Sequence, residues 1–246
     1  MDGRLQEAAA TGDSVTMRHL ATHDPDVLLG TTPLGNTCLH IASVHGHEGF
    51  CKAALALKPS LLAAVNSDGE TSLLTAVTSG RVSLACVLLR CCRDQRLSET
   101  ILKQDRQGCN ALHHAVRGGH RKLALDLIEA EPALSKAVNQ YAESPMFIAV
   151  LRNDAEVFVK LLGIPDSAHG GASGWNALHA AVRNGNSGET CMPSKHLAIH
   201  LVFFFWLVIF VCLTLILSNF NQIYRVIINI LQYQLYFIDE CIYCRI

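Results

Sequence analysis

The chain has 246 residues, with 20 basic and 21 acidic side chains and a formal net charge of −1. This balance offers no polycationic face for nucleic acid, and the length suits one domain or a domain with an appendage. Charged residues reach only 17%, below the roughly 25% of ordinary soluble domains; the shortfall is local, because Arg225 is the only formal charge between His196 and Ile238.

The N-terminal stretch MDGRLQEAAATGDS is polar and has no apolar core of a secretory signal, so a cytosolic, reducing setting is expected. The ten cysteines are then expected to act as small core residues rather than disulfide partners. Residues LQEAAATGDSVTMRHL predict a degenerate first helix pair turning at Gly12.

A five-fold internal repeat follows. GNTCLHIA (35–42), GETSLLTA (69–76), GCNALHHA (108–115), AESPMFIA (142–149) and GWNALHAA (174–181) align without gaps, with starts 34, 39, 34 and 32 residues apart. Eleven residues after each start stands Gly46, Gly80, Gly119, Asn153 or Gly185, residue types that tolerate a left-handed backbone. Each unit reads as a short helix with Leu and Ala at packing positions (Leu39/Ala42, Leu112/Ala115) and then an amphipathic second helix. The second helices carry apolar Leu123, Leu125, Leu127 and Ile128, or Val157, Val159, Leu161 and Leu162. Pro25, Pro59 and Pro132 stop second helices. The stretch RCCRDQRLSETILKQD is longer than its counterparts and predicts a longer second helix or a loop insertion. No single unit encloses its own apolar face, so stacking must supply the core.

The period and the tetrapeptides Thr37-Cys38-Leu39-His40, Asn110-Ala111-Leu112-His113 and Asn176-Ala177-Leu178-His179 resemble the ankyrin repeat, over about residues 2–186. Strings such as GNTCLHIASVHGH, SDGETSLLTAV, GCNALHHAVRGGH and NALHAAVRNG are similar to plant ankyrin proteins of the accelerated-cell-death type. That resemblance implies a cytosolic ankyrin array, a C-terminal membrane domain, and a role in defence and cell-death signalling. It also implies that partners meet the loop tips and first helices. Carried onto this chain, those positions are Asn36, Glu70, Cys109, Glu143 and Trp175 beside each repeat start, flanked by Arg106, Gln107 and Tyr141. The tetrapeptide histidines His40, His113 and His179 are expected to make hydrogen bonds within and between units. The family's Pro-Gly-Gly motif at the head of its membrane domain is missing here.

Catalytic and metal-binding patterns are scarce. No nucleophile-elbow, P-loop or dinucleotide motif occurs. His45-Gly46-His47-Glu48 straddles a turn glycine without a zinc-protease spacing, and Cys241-x-x-Cys244 has no second ligand pair nearby. The expectation is a non-enzymatic protein-binding module with no cofactor, no metal, no nucleic acid and no small-molecule substrate.

The repeat breaks off near Asn186. Residues 1–186 form the expected all-α solenoid of about five units, the last incomplete, and 187–196 a linker. Residues 197–218, LAIHLVFFFWLVIFVCLTLILS, would span roughly 33 Å as a helix, the depth of a bilayer core. A transmembrane helix is expected there, with the ankyrin array facing the cytosol. In the tail 219–246, Arg225, Asn229 and Gln232 share one helical face, which suits a helix lying in the membrane interface. A second origin for 187–246 stands beside this one: translated non-coding sequence from a retained intron or a misplaced exon end. The product would then be a soluble truncated adaptor or regulatory isoform.

Overall fold

The computed structural model describes residues 1–177 and 179–181, all of which belong to one unit, Met1–Ser194. Helices dominate. Among the described residues there is no strand, and sheet-like pairing is confined to isolated antiparallel bridges such as Val65 with Thr71 and Gln104 with Asn110.

The helices come in pairs: α1 (Gly3–Thr11) with α2 (Ser14–His23), α3 (Cys38–His45) with α4 (Glu48–Leu57), and α5 (Ser72–Thr78) with α6 (Val82–Asp94). After a short α7 (Ser98–Ile101) come α8 (Ala111–Arg117) with α9 (Arg121–Ala130), and α10 (Pro145–Leu151) with α11 (Ala155–Leu162). The first helices form one continuous row, α1 on α3, α3 on α5, α5 on α8 and α8 on α10. Second helices pack behind them, α2 on α4, α6 on α9 and α9 on α11.

Local chemistry sets each boundary. Thr37, Thr71, Asn110 and Ser144 precede the first helices in extended conformation, and each side-chain oxygen accepts the backbone N–H three residues on; such caps contribute about 1 kcal/mol each. The expected left-handed turns are present at Gly46 (φ 82°), Gly80 (φ 70°), Gly119 (φ 74°) and Asn153 (φ 55°). The degenerate N-terminal pair turns in the same way at Gly12 (φ 79°). The second helices α4 and α9 end just before Pro59 and Pro132, which open one-turn 3-10 helices. Those turns carry Leu61, Leu62 and Leu134 into the core.

The core lies between the rows. Leu39, Leu73 and Leu112 from the first helices meet Phe50, Leu88, Leu123 and Leu127 from the second, all essentially without solvent exposure. Each such side chain contributes about 1.5–3 kcal/mol through burial, and Leu112→Ala would remove about 2–5 kcal/mol.

Two details differ from the sequence expectation. In α9 and α11 the buried stripe is Leu123, Ala124, Leu127 and Ile128, and Val157, Phe158 and Leu161. Leu125 is half-buried, while Val159 and Leu162 are exposed. At 100° per residue a helix buries neighbours at i, i+1 and i+4, so alternate residues cannot all face inward. The long unit of α5 and α6 resolves as both alternatives at once: α6 has 13 residues against 10 in α4 and α9, and α7 is an added turn that buries Thr100 and Ile101.

Among the described residues no helix is long and apolar enough to cross a membrane. The linker 187–196, the expected membrane span 197–218 and the tail 219–246 lie outside the described residues.

Candidate functional site

Each pair is joined to the next by a tight hairpin, and the hairpins carry the partner-facing residues expected from sequence. The construction is the same in successive units. The residue three positions before each repeat start, Thr32, Asn66, Asp105 or Asn139, donates its N–H to the carbonyl of the residue four positions on, Asn36, Glu70, Cys109 or Glu143. Its side-chain oxygen accepts the N–H of that same residue. At the bend Gly69 has φ 82°, and a Cβ there would stand 2.8 Å from the Gln104 carbonyl oxygen of the next hairpin, so only glycine fits. Ala142 holds the corresponding bend at φ 62°, a conformation that costs an alanine about 1 kcal/mol or more.

Hairpin tips are stitched laterally by backbone bonds, each 2.9 Å: Ser67 N–H to Leu34 O, Arg106 N–H to Asp68 O, and Gln140 N–H to Gln107 O. The tetrapeptide histidines add a second stitch. His40 Nε2 donates to Glu70 O at 3.0 Å and His113 Nε2 to Glu143 O at 3.2 Å, each reaching the following unit. Their Nδ1 atoms accept the N–H of Thr37 and Asn110. Burial lowers the pKa of both, His113 to about 4. At the far end, His179 Nδ1 likewise accepts the Asn176 N–H at 3.3 Å. His47, from the candidate ligand cluster, donates through Nε2 to Ala10 O at 2.9 Å and ties its unit to the one before.

The eight expected contact residues divide into three groups. Arg106, Gln107, Tyr141 and Trp175 are exposed, the last two by 54% and 43%. Asn36, Glu70 and Glu143 are half-buried and bound inward: Asn66 Nδ2 donates to Asn36 and Glu70, Thr75 to Glu70, and both Arg117 and Asn139 to Glu143. Cys109 has no exposed surface and cannot meet a partner directly. Its place at a loop position is misleading, because the hairpin folds its side chain under Arg117 and Asn139, which donate to Sγ at 3.6 and 3.5 Å.

A cluster unseen in the sequence lies at this point. Asp105 Oδ2, Cys109 Sγ and His114 are within 4.8 Å of one another, with His114 Nε2 at 2.8 Å from the carboxylate. The spacings of four and five residues cross a hairpin and match no helical period. The one signal available was the recurring polar residue three positions before each start.

Cys38, Cys51 and Cys92 are buried in the scaffold. Burial pushes Cys38 to about 11, and Cys51 and Cys92 to about 12, so none is a thiolate nucleophile at neutral pH. All six described cysteines are unpaired with one another.

A family model described as ankyrin repeats (3 copies) matches residues 5–101. Those residues are similar to ankyrin repeats. No curated protein matches the chain. Ankyrin repeats typically serve as protein–protein interaction modules, and the α8/α9 and α10/α11 pairs continue the same helix-pair geometry beyond the matched residues.

Proposed function

We propose that the chain binds a protein partner through its hairpin tips, with Arg106, Gln107, Tyr141 and Trp175 in contact and Asn36, Glu70 and Glu143 holding the tips in place. The observation that supports this is a mixed row of cationic, amide and aromatic side chains held outward by hairpins stitched to one another. Tyrosine, tryptophan and arginine carry most of the energy in protein interfaces, and rigid tips lose little entropy on binding. The resemblance in the repeats favours membrane tethering through 197–218, the array facing the cytosol, and a role in plant defence or stress signalling.

The binding reading is tested by proximity labelling in plant cells with the full chain and a Tyr141→Ala/Trp175→Ala variant of equal helicity. A set of neighbours labelled by the parent chain and lost in the variant is expected; identical sets would refute the surface. Tethering is tested by carbonate extraction, where retention in the pellet is expected. Release into the supernatant, or a transcript that continues the fifth repeat past codon 187, would favour the truncated soluble adaptor instead.

A further inference from the structure

We propose that Asp105, Cys109 and His114 form a zinc-binding site. It lies in the third of the five aligned repeats, beneath the Arg106–Gln107 tip. Carboxylate, thiolate and imidazole are a ligand set suited to Zn²⁺. Their donor atoms already lie within 4.8 Å of one another. Bonds of 2.0–2.3 Å in a tetrahedral arrangement need ligands roughly 3.3–3.7 Å apart. The ion would therefore enter by shifts of about 1 Å, replacing the proton shared between His114 Nε2 and Asp105 Oδ2. The Asp105 and His114 side chains are only 11% and 19% exposed, and Cys109 is fully buried.

The ligands are held from outside. Asp105 Oδ1 accepts the N–H groups of Gln107 and Cys109 at 2.8 and 2.9 Å, which aims Oδ2 at the site. Cys109 Sγ receives hydrogen bonds from Arg117 and Asn139, and these same two residues are fixed by Glu143. Such outer hydrogen bonds orient ligands. Charge closes as well: the Asp105, Cys109 and Glu143 anions balance one divalent ion and the Arg117 cation. On binding, the Cys109 thiol proton leaves for solvent, an S–Zn bond forms, and the neutral His114 ring carries its proton on Nδ1. Three protein ligands leave the fourth position to water.

The repeat does not need this trio in order to fold. The equivalent positions are Thr32, Asn36 and Ile41 in the first of the aligned units, Asn66, Glu70 and Thr75 in the second, and Asn139, Glu143 and Ile148 in the fourth. They take the same hairpin and helix without a ligand set.

Cobalt(II) titration of the reduced, chelator-stripped full chain reads the site directly. One equivalent should give a thiolate-to-cobalt charge-transfer band and the intense visible bands of a tetrahedral ion, both abolished by added Zn²⁺. The charge-transfer band should vanish in Cys109→Ser, persist in Cys241→Ser/Cys244→Ser, and need at least ~10-fold more cobalt in His114→Gln or Asp105→Asn. No band in the parent chain, or a band that survives Cys109→Ser, would overturn the proposal. Should Cys109→Ser lose its helicity, His114→Gln decides alone: unchanged affinity with the fold intact refutes the site.

Discussion

The stack contains two kinds of unit, which differ at one position. In the units of α3 and α8 the third helical residue is His40 or His113, bridging its own cap and the next hairpin. In the units of α5 and α10 the same position holds Leu74 or Phe147, both buried. The Phe147 ring packs so closely on Gly171 of the following hairpin that a Cβ there would collide with it. One place in the repeat is thus served either by a directional polar link or by apolar volume. The first specifies register and leaves the cap N–H dependent on one ring. The second contributes more burial and needs a glycine opposite.

Removing the side chain in each kind of unit breaks the comparison most sharply. Phe147→Ala should cost about 3–5 kcal/mol through cavity formation. His113→Ala should cost less, about 1–3 kcal/mol, chiefly from the orphaned Asn110 N–H, since the Glu143 carbonyl keeps the Asn139 N–H. Urea unfolding of the full chain measures both, and equal losses would show that the two solutions are energetically the same.

Acid should separate the units next. Burial, with smaller contributions from the nearby Arg117 and His114, takes His113 from 6.5 to about 4, and His40 moves in the same direction. A base whose folded pKa is depressed is protonated first in the unfolded chain. Its contribution to stability is complete above about pH 6.5 and declines as the pH falls towards 4. At about 1.4 kcal/mol per pH unit, His113 alone accounts for a loss of roughly 3 kcal/mol at the acid end. His113→Leu, which copies the Leu74 unit, should flatten the pH dependence of stability over that window even if it lowers stability at pH 7. A slope that survives in His113→Leu would place the titration elsewhere.

The bends offer a finer test. Gly69 and Ala142 occupy corresponding left-handed positions, and only the alanine is strained. Ala142→Gly should raise stability by about 0.5–1 kcal/mol, relief of the Cβ clash outweighing the added freedom of the unfolded glycine. Gly69→Ala should lower it, because the new methyl meets the Gln104 carbonyl. Thermal melts of the two variants should shift in opposite directions.

What could be read from the sequence was whatever side chains write at a fixed period: the turn residues, the proline stops and the helix pairs along the described residues. The lateral stitching of the hairpins was hidden, since Ser67 to Leu34 and Gln140 to Gln107 are backbone bonds that leave no residue signature. Hidden too was the inward pull on Glu70 and Glu143, whose donors, Asn66, Thr75, Arg117 and Asn139, come together only on folding. Variation beside each repeat start looked like an open binding face, yet at Glu70, Cys109 and Glu143 it tracks local partners: Asn66 and Thr75 for the first, Arg117 and Asn139 for the other two. The Asp105–Cys109–His114 cluster escaped because its members belong to two arms of a hairpin and a helix.

The smallest effect on stability should come from the exposed tips, and that contrast separates surface from scaffold. Tyr141 is 54% exposed and its backbone N–H is already bound to Asn139 Oδ1, so Tyr141→Ala leaves the hairpin bonds intact and should change stability by less than about 0.5 kcal/mol. Glu143→Ala, two residues away, removes the acceptor shared by Arg117 and Asn139 and should cost about 1–2 kcal/mol. Against a partner captured by the parent chain the order should reverse. A central aromatic contact is worth about 2 kcal/mol or more, roughly a thirty-fold loss of affinity, and Glu143→Ala should weaken binding only as far as it loosens the tip. Equal losses of affinity in the two variants would mean that the tips act through the integrity of the stack, with no direct contact from Tyr141.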